Sequence, residues 1–396
     1  MVILNKYNEA DILLGEFIKY KMKDYKNLRN YDYGVENPLK VVSGLSPFIS
    51  KGIIKEKKIL KEIYKSNNPC EKYIQEVFWR VYWKGWLEQN ENVWKGYKRQ
   101  LKIEQIKITE DKNYELYKKA INGNTGIEPF DSWIIQLKST GYLHNHARMW
   151  FASIWIHYFS LHWTLGANLF YENLLDADIA SNTLSWRWVA GIQTKGKKYI
   201  AGADNINKYS LNNFKKFSLP TIKNIEINDN IKHSSSRNFE KYTNVELKKS
   251  SAILILENNL NLDFIKKYKD DIKYYIFLNF KSNDISNSSY KLSFHRCCEK
   301  DFIDICKKKK ISISTFIINI QEKEFLEFLK KNKIKNIYSE YINIGYERDY
   351  IKKIKPILNK NSIYLYEILD SFYASAWRYC NKGYFNFKRN FKKITL

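Results

Sequence analysis

"GYLHNHARMWFASIWIHYFSLHW", Gly141–Trp163, decides how the rest of the chain is read. The protein carries 67 Lys+Arg against 42 Asp+Glu, a formal net charge of +25. Yet no Asp, Glu, Lys or Arg occurs from Met149 to Tyr171. Trp133, Trp150, Trp155 and Trp163 lie in or beside this stretch, as do His144, His146, His157 and His162. It is nominally long enough to span a bilayer as a helix. However, Ser153, His157, Ser160, His162, Thr164 and Asn168 would then lie on every face. That distribution predicts a buried central helix touching something polar, with no membrane span.

Working outward, 396 residues suffice for two domains, each with its own core. A hydrophobic content of 44% excludes general disorder. The basic excess admits two readings. One is a polyanionic partner, held by release of counterions from phosphates. The other is AT-rich coding, which also yields abundant Lys, Ile, Asn and Tyr with scarce Pro and Gly. Cys70, Cys297, Cys298, Cys306 and Cys380 show no paired metal spacing, and their scatter suits a reducing compartment. "MVILNKYNEADILL" has no signal-peptide layout, so the expectation is a cytoplasmic protein.

Residues 1–224 read as helical: "NEADILLGEFIKYKMKDY" and "CEKYIQEVFWRVYWKGWLEQ" carry apolar residues at helical spacing. All but one of the eleven tryptophans lie between Trp79 and Trp188. A polar, weakly periodic linker is expected over 225–250. Residues 251–396 then alternate short β-branched and aromatic runs, "SAILIL", "YYIFLNF", "ISISTFIIN", "KNIYSEY" and "SIYLYEI", with helical candidates "EKEFLEFLKKNK" and "YERDYIKKIKPILNK". The predicted class is therefore α + α/β: an all-helical domain, then a smaller α/β domain with a mainly parallel sheet. No glycine-rich dinucleotide fingerprint occurs in that second half.

Three motifs of the helical half carry chemistry. In "SGLSPFIS", Ser46 before Pro47 reads as a capped helix start, or, with Ser43 and Gly44, as a phosphate cradle. In "EVFWRVYWKGW", Glu76, Trp79, Arg80 and Trp83 share one helix face. They form either an amphipathic face with snorkelling polar heads or a pocket floor that stacks a flat ring. In "LLDADIASNTLSWRWVAG", Trp186 and Trp188 diverge by about 200° on a helix and serve different neighbours. His144 and His146, two apart, are a poor metal pair, and no third ligand is placed to complete one.

These motifs, with "TGIEPFDSWIIQLKSTGYLHNHARMWFASIW" and "HWTLGANLFYENLLDADIASNTLSWRW", resemble the FAD-binding helical domain of the DNA photolyase/cryptochrome family over roughly residues 30–205. The resemblance implies a folded FAD held by Tyr31, Ser43, Leu45, Ser46, Tyr73, Arg80, Asn145, Arg148, Asp176 and Asp178, with Arg148 and Asp176 paired. It places Asn182 opposite the reactive flavin nitrogen, where an amide suits a fully reduced anionic flavin. It makes Trp186 and Trp163 the proximal and middle members of an electron-transfer chain. It also assigns Glu76, Trp79, Trp83, His146, Met149 and Trp188 to the damaged DNA. Glu76 would contact a pyrimidine dimer, with Trp79 and Trp188 as pocket walls. Flipping a damaged base costs a few kcal/mol, less than for an intact one, and stacking at ~1–3 kcal/mol per base offsets it.

The sequence departs from that family's pattern in several places. Gly44 and His146 stand where arginines are common, and "NTLSW" replaces a glycine-containing loop. No tryptophan marks the distal electron-transfer position, so either Tyr114 or Tyr117 serves there or the electron-transfer chain ends early. The α/β half follows the helical one, implying a circular permutation, and its antenna chromophore is not specified. The function expected is light-driven repair of UV-damaged DNA by a monomeric enzyme. The rivals are a blue-light photoreceptor with the same flavin and a flavin-free scaffold binding nucleic acid through charge.

Overall fold

The computed structural model describes residues 7–194, 196–223, 227, 231, 237–280, 286–318 and 321–396. Residues 225–226, 228–230 and 232–236 of the expected 225–250 linker lie outside the described residues. The helical half comprises α1 (Glu9–Glu16), α2 (Met22–Leu28), α3 (Ser46–Ser50), α4 (Glu56–Lys65), α5 (Glu71–Gln89) and α6 (Glu91–Glu110). It continues with α7 (Tyr114–Asn122), α8 (Glu128–Thr140), α9 (Asn145–Ser153), α10 (Trp163–Asn173), α11 (Ile179–Val189) and α12 (Ala203–Tyr209). Its core is strongly aromatic: Trp94, Trp133, Trp150, Trp155 and Phe130 are essentially inaccessible. Large rigid rings dominate burial energetics, at roughly 25 cal/mol per Å² of apolar surface.

The uncharged stretch is buried as predicted, but it is not one helix. From α9 the chain runs through a wide π turn, Ile154–Tyr158. It then breaks where Ser160 takes a positive φ of 60°. α10 restarts with His162 as its N-cap, the imidazole accepting from the Thr164 amide. A left-handed residue followed by a side-chain cap ends one helix and begins another.

Five strands follow: β1 (Ser251–Leu256), β2 (Tyr274–Phe280), β3 (Ile313–Ile318), β4 (Asn336–Glu340) and β5 (Tyr364–Ile368). All adjacent pairs are parallel, in the order β3-β2-β1-β4-β5. α13 (Leu262–Tyr268) and α14 (Ser289–Lys308) cover one face, against Ile253, Ile255, Tyr275 and Phe277. α15 (Glu322–Lys331) and α16 (Tyr346–Lys360) cover the other, against Ala252, Leu254, Leu256 and Ile276. The period-2 alternation of β1 thus feeds two cores, as a doubly covered sheet requires.

The carboxyl ends of β1 and β4 meet the helical half. Leu260 donates its amide to the Lys51 carbonyl at 2.9 Å. Lys55 pairs with Glu340 at 3.0 Å, and the Tyr341 hydroxyl donates to Glu88 at 2.7 Å. The chain's last helices, α17 (Ser371–Trp377) and α18 (Tyr384–Arg389), leave the sheet altogether. Phe372, Trp377, Tyr384 and Phe387 bury their rings in the large helical core. Residues past Ser371, read from sequence with the α/β half, therefore complete the helical one, because their apolar side chains find their partners on α5.

Candidate flavin and nucleic-acid site

α5 is buried on Tyr73, Val77, Phe78 and Val81. Glu76, Trp79, Arg80 and Trp83 form the adjacent half-accessible stripe that their spacing required. Glu76 is held by Arg29 at 3.1 Å and Lys72 at 3.3 Å. Arg80 donates from Nη2 to the Ser50 hydroxyl at 2.6 Å, and Ser50 donates on to the Asp176 carbonyl at 2.8 Å. A relay therefore joins α5, α3 and the turn before α11.

That turn carries the predicted ion pair. Arg148 meets both oxygens of Asp176 at 3.0 Å, and its Nε donates to the Leu143 carbonyl at 2.9 Å. Burial would raise the Asp176 carboxyl, but the guanidinium, with the Ser46 hydroxyl, outweighs it and holds the group below the usual range. Ser46 is the first residue of α3, and the N-cap position falls to Leu45, with no side-chain cap. Tyr73 is buried against Phe17 at 4.3 Å between ring centroids. Burial pushes its phenol up to about 12, partly offset by a hydrogen bond with Ser43. Gly44 adopts φ +71°, and a Cβ there would come within 3.0 Å of Leu39, so an L side chain such as arginine would be strained.

At α11, Asp178 caps the helix by accepting from the Ser181 amide at 2.8 Å. Asn182 donates to the Ala167 carbonyl at 2.8 Å. Trp186 is buried beneath Gly166, where any Cβ would stand 2.3 Å from the indole. Trp188 turns the other way, stacked on Tyr199 at 5.5 Å. Trp163 packs against Tyr97 at 5.6 Å. Trp186 instead meets Trp155 at 6.4 Å, and Trp155 meets Tyr117 at 5.9 Å.

Other residues of the expected site have partners within the protein. The His146 ring lies between Trp150 at 5.2 Å and Tyr209 at 5.3 Å. Burial and neighbouring His144 lower its pKa to about 4. Asn145 is exposed and reaches the Met149 sulfur at 3.9 Å. Tyr31 stacks obliquely on Tyr209 at 5.2 Å. Leu45 is fully buried. Trp79 lies face to face with Tyr384, centroids 3.4 Å apart at 8°. Tyr384, Ser50, Arg29 and Trp155 were not foreseen. Tyr384 is hundreds of residues away in sequence, so no local pattern could connect it to Trp79. Ser50 was foreseeable as the hydroxyl one helical turn after Ser46.

The residues suit a large polar cofactor. Arg80 Nε on α5, Asn168 Oδ1 on α10 and Ser181 Oγ on α11 are buried without a hydrogen-bond partner. Buried polar atoms left unpaired cost ~1–3 kcal/mol each, and a ligand bearing donors and acceptors would satisfy them. Among the described residues no group of His, Cys, Asp and Glu is arranged to hold a metal. No helix among them is long and apolar enough to cross a membrane.

Residues 73–236 match the family described as "FAD binding domain of DNA photolyase". The chain is 28% identical over 234 residues to the deoxyribodipyrimidine photo-lyase of Buchnera aphidicola subsp. Acyrthosiphon pisum, covering 55% of this chain and 46% of that one. The helical half is thus similar to the FAD-binding domain of the photolyase/cryptochrome family. A cryptochrome DASH of Idiomarina loihiensis is 37% identical over 78 residues, 20% of this chain and 17% of that one. The crystal structure of Synechocystis cryptochrome superposes with a TM-score of 0.44 at 19% identity, over 53% of this chain and 44% of that chain. The chain thus spans about half the length of the curated photo-lyase relatives it matches.

Proposed function

We propose that the helical half holds FAD and that the protein uses light to split pyrimidine dimers in UV-damaged DNA. The observation that carries this reading is the joining of a buried arginine–aspartate pair, through Ser50, to a half-accessible carboxylate and indole stripe. Bound, reduced FAD supplies the excited electron that such a reaction requires. The chain's own part is binding and positioning. Arg80 and Ser181 offer donors, Asn168 offers an acceptor, and Arg148 keeps Asp176 ionised beside the Ser46 hydroxyl. Asn182, bound to Ala167, is fixed in one orientation and presents an amide, which holds no labile proton at neutral pH. Glu76 and Trp79 lie on the half-accessible stripe of α5, and a carboxylate with a flat ring suits an extruded base pair.

A second reading, a blue-light photoreceptor without repair, draws on one specific contact. Tyr384 already covers a face of Trp79, leaving less of that indole for a lesion. The two readings separate in one assay. Protein with fully reduced flavin is illuminated with an oligonucleotide containing a single thymine dimer. Loss of dimers in light and not in the dark supports repair. An unchanged dimer content with reduced flavin bound leaves the photoreceptor.

A further inference from the structure

The segment from Ser371 to Leu396 contains no acidic residue. It is strapped across α5 by its backbone and tyrosines: Tyr82 donates to the Lys382 carbonyl and Tyr384 to the Gln75 carbonyl, both at 2.9 Å. Tyr373 donates to Glu56 at 2.5 Å, and Gln89 donates to the Trp377 carbonyl. The strap is two-faced. Tyr384, Phe387 and Phe391 turn inward, Phe391 stacking on Phe78 at 3.9 Å. Phe385 turns outward and is 79% exposed. Lys388 and Arg389 follow it at i+3 and i+4 on α18, so they share its face; Lys392 lies beyond that helix, in the short 3-10 turn Phe391–Lys393, and all three are exposed, as are Lys382 and Lys393. Among the described residues no ion pair engages any of these five cations. The one ring contact of Phe385 among the described residues is edge-on with Tyr384, at 6.4 Å between centroids.

We infer that this outward face of the C-terminal strap is a nucleic-acid-gripping rim, taking the sugar–phosphate backbone of duplex DNA on Lys388, Arg389 and Lys392 and an unstacked base on Phe385. Charge complementarity is joined here to a stacking side chain, the combination by which proteins hold unpaired nucleotides. Position supports it, because Tyr384, one residue away, stacks on Trp79. The rim therefore adjoins the stripe given to the lesion under the proposed function, and the choice of DNA as partner rests on that reading.

The test uses the full chain and a fluorescein-labelled duplex, with and without one thymine dimer, followed by anisotropy in the dark across a salt series. Phe385→Ala should weaken binding to the dimer-containing duplex about tenfold, within the range for loss of one stacked base, and leave the undamaged duplex, whose bases stay stacked, close to the parent. K388A/R389A/K392A should flatten the dependence of log affinity on log salt by about 2 to 3, at ~0.9 for each phosphate that is no longer neutralised. A control with the same charge change, K307A/K308A/K309A on the exposed end of α14, should leave affinity and slope as in the parent. All the replaced side chains are exposed, so melting temperature should not move. The rim is refuted if both rim variants bind like the parent, or if the control loses as much. It is also refuted if the rim variants lose only binding to phosphatidylserine vesicles while holding DNA normally. A parent that repairs dimers while its rim variants bind normally refutes the rim alone. Rim variants that lose binding in a protein that repairs nothing refute the repair reading and leave the rim.

Discussion

Asp176→Asn is the perturbation whose consequence the structure fixes most closely. The Asp176 side chain is 6% exposed and that of Arg148 24%. Removing one member of a buried pair strands the other and destabilises by ~3–5 kcal/mol. Here Arg148 keeps its bond to the Leu143 carbonyl and some access to water, which places the loss near ~2–3 kcal/mol. For a chain of this size that corresponds to a fall in Tm of about 2–4 °C. Differential scanning calorimetry on flavin-free protein measures it, and flavin content after reconstitution measures the effect on the site. The sign with pH follows from the depressed carboxyl. Its stabilisation is present above the ordinary aspartate value of 3.8 and is lost as pH falls through the lower folded value. The variant should lack that component of acid sensitivity. A Tm within about 1 °C of the parent, with unchanged acid sensitivity, would refute the claim that this pair organises the turn.

Gly166→Ala forces a methyl group into the Trp186 ring and should destabilise by ~1–3 kcal/mol, read in the same calorimeter; an unchanged Tm would show that the indole has room to move. Trp155→Phe should slow photoreduction of bound flavin more than Trp163→Phe, because Trp155 is the indole in ring contact with both Trp186 and Tyr117; transient absorption decides, and the reverse order contradicts it. Glu347→Gln should stabilise the protein above pH 7 and do nothing near pH 4.5. Burial and Glu257 raise that carboxyl from 4.5 to about 7, so its stabilising contribution is lost as pH rises through that range; urea melts at the two pH values check this. Trp188→Ala should weaken binding of dimer-containing DNA while flavin is retained, and equal affinity would make this indole part of the core only.

The α/β half was legible because its signals are local. "SAILIL" and "YYIFLNF" coincide with β1 and β2, and "YERDYIKKIKPILNK" with α16. The stripe on α5 was legible for the same reason, since helical spacing alone places Glu76, Trp79, Arg80 and Trp83 together. What escaped depends on tertiary contact. Ser46 looks like a cap, yet α3 begins on it and Leu45 takes the cap position without a side-chain bond. The uncharged stretch looks like one helix, yet Ser160 and His162 break it. Nothing near Trp79 in sequence announces Tyr384, and nothing near Tyr384 announces that the last helices belong to the helical core.

The central claim is that the helical half encloses a flavin around the Arg148–Asp176 pair. Its most direct measurement is the absorption spectrum of the protein after incubation with FAD and removal of free cofactor, compared between parent and Arg148→Leu. The account predicts one protein-bound flavin per chain in the parent and a marked loss in the variant. A parent that emerges colourless, or a variant that retains flavin in full, would contradict it.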